Sequence, residues 1–110
     1  MKVGIIRCLQ TEDYCPAAID LQFAREKKGA FEGCEEEVVV VGVSTCGGCP
    51  GKKAVLRARN LVERGADTIA FASCITKGNP IGIVCPFAKI MIEAVSNDVG
   101  WNINILDYTH

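Results

Sequence analysis

Seven cysteines are the residues of this chain with the clearest capacity for chemistry, and an odd number in 110 residues cannot all pair with one another. Disulfide-stabilised scaffolds belong to oxidising compartments. The first residues, Met1-Lys2-Val3, enter an apolar strand pattern at once and lack the form of a signal peptide. We therefore expect a cytoplasmic protein whose thiols bind a metal or carry out thiol chemistry.

The densest cysteine motif reads Cys46-Gly47-Gly48-Cys49-Pro50-Gly51-Lys52-Lys53. Two cysteines separated by two residues can chelate one metal or form a redox pair. Gly47 and Gly48 permit positive φ angles and let backbone N–H groups turn toward sulfur or a bound ligand. Lys52 would offset the negative charge of a thiolate-bound centre, although a solvated surface lysine is equally consistent with the pattern. The motif predicts Gly47, Gly48 and Lys52 as residues that contact the bound group.

Three cysteines are followed directly by proline, at Cys15-Pro16, Cys49-Pro50 and Cys85-Pro86. Each pair stands at the beginning of a predicted helix, and proline is favoured at the first helical position because its missing N–H costs nothing there. The pattern predicts that each cysteine is an N-cap residue. The free N–H groups and the positive end of the helix dipole would favour a thiolate at that position.

Apolar runs and helical periods alternate along the chain. The runs predict strands over Lys2–Cys8, Glu36–Ser44, Asp67–Ser73 and Asn102–Asp107. The periods predict helices over Pro16–Lys28, Pro50–Arg64 and Pro86–Ser96. Strands without polar alternation are typical of a parallel sheet that is covered on both faces. We predict a single three-layer α/β domain over residues 1–110, with a four-stranded parallel sheet in the flavodoxin-like order 2-1-3-4.

This topology predicts that six cysteines share the carboxyl edge of the sheet, because strand ends and the following helix starts lie there. The six predicted metal ligands are Cys8, Cys15, Cys46, Cys49, Cys74 and Cys85. Cys8 and Cys74 would flank the point between strands one and three where open α/β sheets bind ligands. Cys34 precedes strand two and belongs at the opposite edge. His110 follows strand four and is either a further ligand or part of a frayed terminus.

Charge and hydropathy narrow the range of partners. Twelve basic and 13 acidic residues leave a net charge of −1, which argues against nucleic acid. No apolar run reaches the roughly 20 residues that span a bilayer. The cysteine cluster favours a redox protein or a metal-acceptor protein as the partner.

Several motifs together resemble the CGGC-domain proteins over essentially the whole chain. They are "GIIRC", "QTEDYCP", "STCGGCPGKKA", "ERGADTIAFASC", "KGNPIG", "CPFAKIM" and "DYTH". The resemblance implies metal binding, with zinc often proposed for the family from its cysteines and histidines, and it implies the same six cysteines as functional positions. A histidine often follows the last Cys-Pro of the family. Phe87 stands there in this chain, which favours coordination by sulfur alone.

Three functions fit these residues. An iron–sulfur cluster for electron transfer or cluster delivery needs four cysteines, although no ferredoxin-type C-x2-C-x2-C run is present. A zinc site accepts four thiolates, but typical structural zinc sites use two close ligand pairs and this chain offers one. A thiol–disulfide redox enzyme would use Cys46 and Cys49 and would leave four cysteines unexplained. We rank the cluster first, zinc second and the enzyme third.

Overall fold

Four parallel strands form the centre of the computed structural model, which describes residues 1–110. The strands are β1 (Lys2–Arg7), β2 (Val39–Thr45), β3 (Thr68–Phe71) and β4 (Asn104–Leu106). Their order in the sheet is β2-β1-β3-β4, and each neighbouring pair is parallel. The predicted α/β class, the parallel sheet and the flavodoxin-like order are confirmed.

Four α-helices and two short 3-10 helices, Leu9–Thr11 and Gly29–Phe31, connect and cover the strands. The α-helices are α1 (Ala18–Glu26), α2 (Lys53–Glu63), α3 (Ser73–Thr76) and α4 (Ala88–Val99). The sheet allows α2 to approach closely because β1 and β2 carry glycine beneath it: a Cβ atom on Gly4 would lie 2.8 Å from Leu61 Cβ. No helix combines the length and the apolar character that crossing a membrane requires.

Burial is concentrated in the two central strands. Val3, Ile5 and Ile6 of β1 have no exposed surface, and all four residues of β3 are buried. By contrast, none of the seven residues of β2 is buried, although the strand reads Val-Val-Val-Gly-Val-Ser-Thr. Helices α1 and α2 both contact this strand, but β2 lies at the edge of the sheet and its residues are at most partly buried, so its cover is less complete than the apolar run predicts.

The predicted N-cap positions of the three Cys-Pro pairs are also wrong, because each helix begins two or more residues later. Ala17 has a left-handed φ of 64°, so α1 cannot include it and starts at Ala18. Gly51 has a φ of 88° and donates a hydrogen bond to the Gly48 carbonyl at 2.7 Å, which closes a separate turn before α2. Phe87, not Cys85, is the N-cap residue of α4.

The third strand ends earlier than predicted. It stops at Phe71, and the chain turns at once into the single-turn helix α3, which contains Cys74. Cys74 is therefore a residue of a helix that follows the strand and is not its terminal residue. The sheet edge and the helix start remain adjacent, so the thiol stays at the carboxyl edge.

Candidate metal centre

Four cysteines from distant parts of the sequence line one cavity at the carboxyl edge of the sheet. The cavity has a volume of about 170 Å³, and its cysteines are Cys8, Cys49, Cys74 and Cys85. Branched apolar side chains form much of the remaining wall, from Ile81, Ile83 and Val84. We call this space the cysteine cavity. Thiols in such surroundings are partly removed from water, which strengthens their electrostatic interactions with a bound cation.

Cys8 and Cys74 meet because their strands are neighbours. The register pairs Ile6 with Phe71, so the segments that follow β1 and β3 leave the sheet side by side. The backbone N–H of Cys8 donates a hydrogen bond to Cys74 Sγ at 3.3 Å. This contact lies at the junction of β1 and β3, where the sequence predicted a binding point.

The two cysteines of the CGGC motif have different surroundings. Cys46 is only 4% exposed and belongs to the hydrophobic core, and its N–H donates to the Arg7 carbonyl at 2.8 Å, which extends the pairing of β2 with β1. Cys49 is exposed and reaches the cysteine cavity. The loop therefore presents one of its two sulfurs to the cavity and directs the other inward.

The glycines of the motif have the backbone geometry that the sequence predicts. Gly47 and Gly48 have φ angles of 81° and 101°, and the Gly47 N–H donates to Thr45 Oγ1 at 3.2 Å. A Cβ atom on Gly47 would lie 2.5 Å from Lys53 Cβ. Neither glycine lines the cysteine cavity, and Lys52 lines a different surface groove beside α4. Their contact with a bound group stays a prediction.

Burial raises the pKa of two cavity thiols. For Cys74 it outweighs the hydrogen bonds from the Cys8 N–H and from Thr11, which lower that pKa. For Cys85 burial is again the largest cause, and the nearby thiols of Cys8, Cys49 and Cys46 raise its pKa further while the Phe87 N–H lowers it. Without a cation, both groups favour the neutral thiol.

A second cavity of about 480 Å³ shares Cys74 with the first and contains two further predicted ligands, Cys15 and His110, whereas Cys46 lines neither cavity. Cys74 lines both cavities. The imidazole of His110 lies with Nε2 at 3.6 Å from Asp20 Oδ1 and stacks edge-on against Phe23. The structure thus brings Cys15 and His110 to the predicted edge without bringing them into the cysteine cavity.

Cys34 lies apart from both cavities, at the amino edge of the sheet where the sequence places it. Its Sγ donates to the Glu36 carbonyl at 3.4 Å, just before β2 begins. It lines neither cavity and serves as a reference cysteine for experiments on the cysteine cavity.

The donors fit a soft metal in their chemistry but are not spaced for one ion. All seven cysteines are free thiols. Thiolates are ligands for zinc and for iron–sulfur clusters. However, no group of three or more Cys, His, Asp or Glu side chains is placed to hold a single metal ion. The cysteine cavity therefore offers four sulfurs around a space and not a preformed mononuclear site.

Comparison with protein families identifies the chain. A family model described as the CGGC domain matches residues 2–110. The chain belongs to the CGGC-domain family. This CGGC domain is similar to the uncharacterized protein MJ0582 of Methanocaldococcus jannaschii, with 40% identity over 80 residues, which cover 67% of this chain and 62% of that protein. It is also similar to the uncharacterized protein MJ0766 of the same organism, with 36% identity over 56 residues, 50% of this chain and 80% of that protein. The match thus spans less than two thirds of the length of MJ0582. No solved structure matches the chain.

Proposed function

We propose that this CGGC domain binds an iron–sulfur cluster through Cys8, Cys49, Cys74 and Cys85 and uses it for electron transfer or cluster delivery. One observation carries the proposal: four separate segments of the chain each direct one cysteine to the wall of the same apolar cavity. Four cysteine thiolates are the usual ligand set of such clusters. The cluster supplies one-electron chemistry when bound, and the chain supplies the four sulfurs and the apolar enclosure.

We rank a cluster above zinc because of what a single zinc ion requires of its donors. Zinc binds sulfur at about 2.3 Å, so any two sulfurs on one zinc ion are within about 4.6 Å of each other. The cavity thiols are not gathered as a single-ion site. A cluster distributes its ligands over several iron atoms and accommodates sulfurs that surround a larger space. Zinc remains the alternative, and it would require the thiols to move toward one another.

Thiol–disulfide exchange has less support from the geometry. Cys46 is buried among core side chains, whereas Cys49 is exposed. The activation of Cys49 by a helix N-terminus requires a helix that begins there, and α2 begins at Lys53. The CGGC motif is better explained as a loop that delivers Cys49 to the cavity.

A redox or metal-acceptor partner would approach through the mouth of the cysteine cavity. Exposed Cys49 lies there together with Ile83 and Val84, which are 66% and 52% exposed. Exposed branched residues beside a buried thiol site allow a partner to exclude water from the transferred group. The proposed partner is therefore a protein with an apolar contact surface.

Anaerobic purification followed by absorption spectroscopy and metal analysis tests the proposal. We expect a brown protein that contains iron and acid-labile sulfide in equal amounts. Serine substitutions at Cys8, Cys49, Cys74 or Cys85 should each remove most of the iron, because each deletes one of four ligands.

The matched control is Cys34→Ser, which makes the same chemical change at the amino edge and should leave the iron content unchanged. A colourless protein with one zinc ion per chain would refute the iron–sulfur cluster and support the zinc site. Equal metal loss from Cys34→Ser and Cys74→Ser would refute the cavity as the binding site. A metal-free protein that reduces disulfides would favour the redox enzyme.

A further inference from the structure

A buried hydrogen-bond network joins α1, α3 and the segment after β4 beside Cys74. Its side chains are Asp20, Ser73 and Thr109, with exposed fractions of 1%, 0% and 0%. We call it the Asp20–Ser73–Thr109 network. None of these residues was singled out by the sequence, because an aspartate in a surface helix and a serine or threonine near a strand end are common at exposed positions.

Several hydrogen bonds of the network hold Ser73, the residue before Cys74. Ser73 Oγ accepts hydrogen bonds from the N–H of Thr109 at 3.1 Å and from the N–H of His110 at 2.9 Å. In return, the Ser73 N–H donates to Thr109 Oγ1 at 3.1 Å. Thr109 Oγ1 itself donates to Asp20 Oδ1. Every connection is buried or nearly so, and a buried polar group that loses its partner is strongly penalised.

Because α3 is too short to be stable by itself, the position of Cys74 depends on tertiary contacts, which include this network, the buried side chain of Ile75 and the hydrogen bond from the Cys85 N–H to the Ile75 carbonyl. The helix has four residues, and an isolated helical turn is unstable in water. Ser73 is its first residue and Cys74 its second. Thr109 is also tightly packed against Gly29, because a Cβ atom on Gly29 would collide with the Thr109 carbonyl oxygen.

We propose that the Asp20–Ser73–Thr109 network is a positioning device that holds the Cys74 thiol where Cys74 lines both cavities. The proposal rests on the proposed function in one respect, which is that Cys74 is a ligand of the centre. The network acts through the backbone of α3 and does not itself contact the bound group. When the network is intact, Cys74 Sγ stays buried beside the Cys8 N–H.

The rate at which iodoacetamide alkylates Cys74 in reduced, metal-stripped protein measures this positioning directly. Peptide mapping by mass spectrometry separates Cys74 from the other cysteines, and Cys34 serves as the internal reference. Thr109→Val removes the hydroxyl while keeping the branched shape, and Ser73→Ala removes the shared acceptor. We expect each variant to alkylate Cys74 about tenfold faster than the wild type, because loss of a buried hydrogen bond raises the population of locally open α3.

Two further variants show whether a faster reaction reflects positioning or general destabilisation. Thr109→Ser restores the hydroxyl and should return the Cys74 rate to that of the wild type. Thr68→Val is the matched control: Thr68 is also fully buried, and its Oγ1 donates to a carboxylate, Asp67 Oδ1, at 2.8 Å, but it lies at the amino edge of β3. It should leave the Cys74 rate unchanged.

The proposal is overturned if Thr109→Val and Ser73→Ala alkylate Cys74 at the wild-type rate, or if Thr68→Val accelerates it equally. Metal content measured on the same variants separates this result from the proposed function. A wild type that retains no metal refutes the metal centre and leaves the alkylation result standing. If Thr109→Val accelerates alkylation but keeps full metal content, the network does not position a ligand and the proposal also fails.

Discussion

Cys74 is the residue on which the candidate centre depends most. It is 4% exposed, it lines both cavities, and its sulfur accepts a hydrogen bond from the Cys8 N–H. Its burial has two consequences that oppose each other. The thiol is protected from solvent and oxidants, but the metal-free protein resists the ionisation that metal binding requires.

The raised pKa values of Cys74 and Cys85 predict that the metal-free protein loses stability at alkaline pH. Below the ordinary thiol pKa of about 8.5, both thiols are protonated in the folded and the unfolded chain and have no effect. Above it the unfolded thiols ionise first, because burial holds the folded thiols neutral, and unfolding becomes more favourable until the pH exceeds the folded pKa. Urea unfolding midpoints at pH 7 and pH 10, measured anaerobically with a chelator, test this expectation.

The double variant Cys74→Ala/Cys85→Ala isolates these two thiols from the lysines and tyrosines that titrate in the same range. Its unfolding midpoint should fall less between pH 7 and pH 10 than that of the wild type. Cys34→Ala, outside the cavity, should keep the wild-type fall. An unchanged fall in the double variant would show that burial of these thiols does not control the alkaline behaviour.

At the scale of the elements, the sequence predicts strand order and the shared edge better than it predicts where helices begin. The carboxyl ends of parallel strands meet whatever the loops do, so Cys8 and Cys74 were correctly placed together. Helix starts depend on single backbone angles, and the proline rule was overridden at Ala17 and Gly51 by positive φ values. Side-chain direction within a loop has no periodic signal, so the sequence could not separate buried Cys46 from exposed Cys49.

The burial of β2 depends on its position at the edge of the sheet, which the apolar sequence of the strand does not reveal. An exposed apolar edge invites pairing with another chain, and natural proteins protect such edges. Here the register between β1 and β2 shifts near Gly4 and Gly42, which interrupts the regular ladder. Arg57 also donates to the Thr45 carbonyl at 3.2 Å. Because the next residue, Cys46, directs its N–H toward β1, this carbonyl faces the free side of the strand, and Arg57 covers it.

The packing of α2 on the sheet predicts graded effects for two glycine substitutions. Gly4→Ala should destabilise the protein by about 1–3 kcal/mol, because the new Cβ would lie 2.8 Å from Leu61 Cβ, an atom fixed to the helix backbone. Gly42→Ala meets only Leu61 Cδ2, at 3.0 Å, which can rotate away, and should cost about 1 kcal/mol or less. Urea denaturation compares the two, and an equal loss in both would contradict this account of the packing.

At the scale of the whole molecule, the candidate site is confined to one edge of the sheet. Eighteen buried residues form one hydrophobic cluster that includes the central strands, so the fold has a core independent of any bound group. The carboxyl edge carries the cavities and the segments that line them. Its four cavity cysteines come from four separate segments, so a centre bound by all four would cross-link the segment after β1, the CGGC loop, α3 and the segment before α4.

Because the site is confined to the carboxyl edge, we expect metal removal to increase local opening there and to leave the amino edge unchanged. A group that binds only the folded state stabilises it by about 2.7 kcal/mol when its free concentration is 100 times its Kd. That stabilisation should appear locally, since opening of the four ligand-bearing segments is what the cross-link opposes. Hydrogen–deuterium exchange measured on metal-loaded and metal-stripped protein should show faster exchange over residues 8–15, 46–51 and 73–86 after stripping. Residues 34–38 and 64–68, at the amino edge, should exchange at the same rate in both forms. An increase spread evenly over both edges would instead mean that the bound metal supports the global fold and not the cysteine cavity alone.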